Sequence, residues 1–172
     1  MVLKPTVRKR KPLLSKQVTP VKGRKPASAA LRRRTKFVYR NEKYKFSLTL
    51  PDWWKPYIVI KTAANPDSES IYDVMFLFKY KGKTYGDVLT LSVFRMPLAK
   101  WIEEGYDESP YIRLAHRKGL IFAYSTPEEP PAEFLNESGD DFNYEQYGEQ
   151  LKLMSRMVNE DAPEIAKTFK LI

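Results

Sequence analysis

His116 is the single histidine of the chain. A histidine-based metal cluster therefore cannot be built, and a Ser/His/Asp arrangement would have to use this one imidazole beside the basic turn Arg117-Lys118-Gly119. The carboxylate pairs Glu103-Glu104, Asp107-Glu108, Glu128-Glu129 and Asp140-Asp141 are adjacent in sequence. Adjacency in a helix or strand points two side chains apart rather than at one substrate, so these read as solvated loop acids. Gly82-Lys83-Thr84 has the ending of a phosphate-binding loop, but that motif needs a glycine five positions before Gly82, where Leu77 stands in a strand pattern. The three residues read as a hairpin turn. The chain has no cysteine, which removes disulfides, thiolate metal sites, iron–sulfur clusters and cysteine nucleophiles together. No catalytic residue, metal or cofactor is expected, and an enzyme is the least expected class.

Two other groups of residues suit binding. Trp53 and Trp54 are adjacent, so on an extended backbone one ring enters the core while the other faces out. An exposed ring would be a protein contact or a base-stacking platform; the structural alternative has both rings capping the core. The second group is a run of bases. Residues 1–36 hold thirteen Lys/Arg and no acid, whereas residues 37–172 hold the other 17 bases against all 21 acids, a partition of +13 and −4. The bases Arg8, Lys9, Arg10, Lys11, Lys22, Arg24, Lys25, Arg32, Arg33 and Arg34 are the candidate contacts to nucleic acid or to an acidic surface, because each neutralised phosphate releases counterions and supplies sequence-independent, salt-sensitive affinity. Lys22-Gly23-Arg24-Lys25-Pro26 has the flavour of an AT-hook without the Arg-Gly-Arg-Pro core of that motif.

The elements that carry these residues fall into an arm, 1–36, and a domain, 37–172. In the arm, Pro5, Pro12, Pro20 and Pro26 leave no room for a helix of more than about two turns. Large apolar residues are few beyond Leu13, Leu14 and Leu31. Such a segment cannot offset the entropy of ordering, and an extended chain, disordered when free, is expected. The bland alternative is a solubilising tail or localisation signal. Arg8, Lys9, Arg10, Lys11 and Pro12 interrupt any apolar stretch behind the start, so secretion by a signal peptide is not expected. No apolar run approaches 18 residues, and no membrane span is expected. A cytoplasmic or virion location is expected.

In the domain, residues 44–50 alternate apolar and polar as a half-buried strand does, and Pro51-Asp52 ends the pattern. Strands are predicted over 57–63 and 71–80, the latter joined through Lys81-Gly82-Lys83 to a partner over 88–94. A short helix over 98–104 precedes a second hairpin, 111–115 with 120–124. Residues 125–141 read as a loop. Tyr147, Leu151, Met154 and Val158 then share one helical face, Pro163 opens a last turn, and 168–172 adds a candidate terminal strand. The expected fold is α+β: a mainly antiparallel sheet of about six strands packed by a long C-terminal helix.

The stretch YKFSLTLPDWW, residues 44–54, resembles the opening of PsbP/Mog1-like domains, where an aromatic-Phe-Ser strand runs into a proline and then a tryptophan. The closing helix, short turn and Thr168-Phe169-Lys170 are similar to the way those domains end. The resemblance spans most of 37–172 and implies an α+β fold. It also implies a non-catalytic partner of a larger complex, as for the photosystem extrinsic subunit and the Ran-binding protein of that group. It carries over no ligand-binding residue, and the basic arm has no counterpart in it. The expected function is that of a non-enzymatic structural or interaction protein of a large assembly, phage-virion-like (capsid-associated) or ribonucleoprotein-like. Its domain would dock on protein while the arm lies on DNA, RNA or an acidic surface. The alternative is a soluble nucleic-acid-binding regulator, in which Lys79, Lys81, Lys83, Arg113, Arg117 and Lys118 extend the arm's basic stripe across one face.

Overall fold

The computed structural model describes residues 35–172, so every base singled out in the arm lies outside the described residues. The fold is α+β and antiparallel, but the described residues form eight strands in two sheets rather than about six in one. The smaller sheet has the order β1-β2-β8, from β1 (Lys36–Asn41), β2 (Phe46–Pro51) and β8 (Lys170–Leu171). In β1 the apolar period is masked by charge: Phe37 and Tyr39 turn inward while Lys36, Val38 and Arg40 are exposed. Asn41, buried at its end, accepts from the Tyr44 amide at 2.8 Å and donates to the Tyr72 hydroxyl at 3.2 Å, fastening the β1–β2 turn to the core.

The larger sheet has the order β3-β4-β5-β7-β6, from β3 (Ile58–Ala64), β4 (Ser70–Tyr80), β5 (Lys83–Arg95), β6 (Ile112–Arg117) and β7 (Leu120–Ser125). In β4 the alternation is strict: Tyr72, Val74, Phe76, Phe78 and Tyr80 are buried and the residues between them half-buried. The two lysine-glycine pairs, Lys81-Gly82 and Lys118-Gly119, form the hairpin turns at φ of 47° and 84° and of 51° and 73°. Positive φ at both central residues is the twist-matching geometry for a two-residue hairpin. The turn at Gly82 thus leaves no phosphate-binding loop there.

Helix α1 (Leu98–Glu103) covers one end of the outer face of the large sheet, where Trp101 packs with Phe94, Met96, Ile121 and Ala123 in a satellite cluster. On the opposite face lies the main core, shared by both sheets and the C-terminal helical ridge. Phe46 of the small sheet meets Phe122 of the large one with ring centroids 5.9 Å apart, and Tyr39 meets Phe76 at 5.6 Å. The ridge is not one continuous α-helix. It consists of α2 (Tyr144–Arg156), a π turn (Met157–Asp161) and α3 (Ala162–Ala166), so Val158 sits in the π turn and not on a regular helical face. Leu151, Met154, Met157 and Ile165 bury the apolar side of the ridge against the sheets, each worth about 1.5–3 kcal/mol of transfer free energy. Asn143 caps α2 by accepting from the Gln146 amide at 2.9 Å. The 125–141 stretch, read as loop, contains a 3-10 turn, Ala132–Phe134, and a bridge between Leu135 and Phe142. The turn seats Phe134, fully buried, beneath Tyr147 and Tyr85.

Candidate docking groove

A groove of about 450 Å³ runs between α2 and the 127–130 loop. Its wall carries Leu151, Met154 and Val158 from the ridge together with Phe142 and Tyr144, and Glu128 and Glu129 stand on the loop that forms its other side. The loop is brought in by a glycine in the sheet: at Gly86, a Cβ would lie 3.3 Å from Cγ of Pro131, closer than most side-chain contacts allow. Tyr144 is 62% exposed at the head of α2. One turn later Gly148 interrupts the helix interior, and no atom lies within 4 Å of where its Cβ would stand. A glycine there costs helix stability without relieving a clash, and it leaves bare backbone at the groove wall.

Tyr144 and Gly148 also line a second, polar groove of about 370 Å³ on the other side of α2. There the Tyr80 hydroxyl donates to the Glu149 carboxylate, which pushes the phenol up to about 12, with burial adding to the shift. Lys81 and Lys83 lie over the rings of Tyr80 and Tyr85 at 5.2 and 4.9 Å. Glu133 pairs with Lys83 at 2.5 Å and raises its ammonium above the ordinary lysine value.

The sequence that supplies the loop side of the groove is acidic over a long stretch. Residues 119–151 contain Glu128, Glu129, Glu133, Glu137, Asp140, Asp141, Glu145 and Glu149 and no Lys, Arg or His. Lys152 is the base that lines the groove. Asp140 is held below the usual carboxylate range by hydrogen bonds from Ser138 and then Asn136. An apolar wall with anionic side chains beside it is chemically suited to a basic segment carrying apolar anchors.

The residues singled out from sequence are dispersed. Trp54 is fully buried, and its indole donates to Oδ2 of Asp161 at 2.9 Å, so it offers no surface to a protein partner. The pair sits in a 3-10 turn, Asp52–Tyr57, and not on the extended backbone that would alternate them. Trp53 is half-buried beneath the Arg156 guanidinium, 4.3 Å from its ring centroid. The six domain bases do not form one stripe. Lys79, Lys81 and Lys83 lie at the β4–β5 hairpin, whereas the pairing of Arg95 with Leu120 places Arg117 and Lys118 beyond the far end of β5, about 40 Å away along a 13-residue strand. There Arg117 donates to the carbonyls of Tyr44 and Lys45.

His116 is exposed on the edge strand β6 opposite Ile121. Of the carboxylate pairs, Glu104 faces Lys100, Asp107 accepts from the Trp101 indole at 2.7 Å, and Glu128-Glu129 lines the groove. Among the described residues no cluster of His, Asp and Glu is suited to hold a metal, and no helix is long and apolar enough to cross a membrane. The groove was missed from sequence because its walls come from 127–130 and 142–159; the base-free acidic window and the helix-interior Gly148 were the signals available. Comparison with protein-family models, curated proteins and solved structures gives no significant match.

Proposed function

We propose that this chain is a non-enzymatic structural or interaction protein of a large assembly, phage-virion-like or ribonucleoprotein-like. Its domain docks on protein, and its basic arm lies on nucleic acid or on an acidic surface. The observation that carries this reading is the partition of charge, +13 over residues 1–36 against −4 over 37–172. That division assigns polyanion contact to the arm and leaves the domain free for another partner. The groove beside α2, with its apolar wall and exposed Tyr144, supports the protein-docking half of the reading. The finer assignment of the fold to PsbP/Mog1-like domains is part of the same proposal and rests on YKFSLTLPDWW, which covers the β1–β2 turn, β2 and the turn that sends Trp54 into the core.

The test is binding of full-length protein to duplex DNA and to single-stranded RNA across a salt series, beside a full-length variant with Arg8, Lys9, Arg10 and Lys11 changed to Gln. Binding should weaken steeply with salt, and the variant should reduce the log–log salt slope by about 3 to 4. Absence of binding by both proteins would remove nucleic acid and leave an acidic protein surface as the arm's partner.

A further inference from the structure

We infer that the apolar groove beside α2 is a docking site for the basic arm of a second copy of this chain, engaged through the segment around Leu13 and Leu14. This deepens the reading just given, since it rests on the arm engaging an anionic surface and names that surface. The observations are complementary in kind. On the groove side are the ridge residues Leu151 and Val158, the acids Glu128 and Glu129, and Gly148, whose missing side chain lets another backbone approach α2 closely. Those two acids belong to a stretch of sequence, residues 119–151, that carries eight acids and no base, and they are the two of the eight that line the groove. On the other side the sequence offers an adjacent leucine pair between Arg8-Lys9-Arg10-Lys11 and Lys16, in a 36-residue segment without an acid. Two leucines supply the apolar anchor, and the flanking bases outnumber Lys152, the one base beside Glu128 and Glu129 in the groove lining. A volume of about 450 Å³ falls in the range of sites that accept a few side chains. Docking arm to groove between like chains gives a closed two-fold pair where two copies exchange arms, and chains or rings where each arm reaches a different neighbour.

The experiment is sedimentation velocity of the full chain over a concentration series at low and high salt. Beside it run the full-length variant Glu128→Lys/Glu129→Lys and the same variant carrying Arg8→Glu/Lys9→Glu as well. The unaltered chain should self-associate at low salt and dissociate at high salt. Reversing the two groove acids should weaken association by about tenfold or more, and reversing the arm charges in addition should restore most of it. A monomer at every concentration, association indifferent to the groove reversal, or loss without recovery in the doubly reversed chain would each overturn the proposal. Nucleic-acid binding reads the arm's affinity for phosphate separately, so its absence leaves the self-association result decisive for the groove.

Discussion

Trp54 donates its indole to Asp161 while Trp53 lies under Arg156, and one 3-10 turn separates the two fates. From sequence the adjacency of the rings was plain, but the choice between them depended on a turn geometry that Pro51 and Asp52 announce only as the end of a strand. Asp161 stands 107 residues further on, so no local pattern ties it to Trp54. Tyr80 and Glu149 are paired across 69 residues, and their contact has a pH signature. Because the carboxylate holds the phenolic proton, the folded Tyr80 titrates near 12 and the unfolded one near 10.0. The unfolded chain gives up that proton first. The contribution is therefore complete below pH 10 and is lost as pH rises towards 12. Burial of Tyr39, Tyr111 and Tyr124 raises their values in the same direction. Urea midpoints measured across that interval should fall, and Glu149→Gln should make the fall shallower; an identical pH dependence in the variant would remove the pair as its source.

Helix α2 shows how an element trades its own stability for an open surface. It has an Asn143 cap and a buried Leu151–Met154 side, yet Gly148 stands in its interior. With nothing within 4 Å of the missing Cβ, Gly148→Ala meets no obstacle and should stabilise the protein by about 0.5–1 kcal/mol, from propensity and from a less flexible unfolded chain. A rise in the urea midpoint at constant slope would show it, and a fall would mean that the bare backbone is needed for folding. Elements with an unbroken period were legible in the sequence: β4, the turns at Lys81-Gly82 and Lys118-Gly119, α1 and the start of the ridge all stand within a few residues of where pattern places them. Strand β1 was not, because Lys36 and Arg40 alternate with Phe37 and Tyr39 right beside the basic arm. The π turn was not either, since Tyr147, Leu151, Met154 and Val158 fit a continuous helix equally well.

For the whole molecule, the division into two sheets was illegible because it depends on pairing between distant segments: β2 lies between β1 and the two-residue β8, whose register joins Phe46 to Leu171. One core then binds both sheets and the ridge, while the cluster around Trp101 stands apart under α1. Cooperative units follow contact, so amides of β4 and β5 should exchange hydrogen only through global unfolding, and those of residues 98–108 through a local opening of lower free energy. Native-state hydrogen exchange in mild denaturant separates the two. Equal protection and equal denaturant dependence in both regions would make the satellite cluster part of a single unit.

The π turn between α2 and α3 has a meaning in the currency of insertion and deletion. A π turn closes its hydrogen bonds one residue later than an α turn, so it is what a single inserted codon would leave in a helix that absorbs the misfit locally. Removing one residue between Met157 and Asp161 would leave a regular α-helix in which Ala162, Ile165 and Ala166 keep their phase, because the wide turn already absorbs the extra residue. Ile165 would stay in the core, and Thr168 would still accept from the Thr49 amide, as it now does at 2.8 Å. Loss of one residue is thus tolerated at this turn, whereas the same loss within the regular turns of α2 would swing everything beyond it by about 100° about the helix axis.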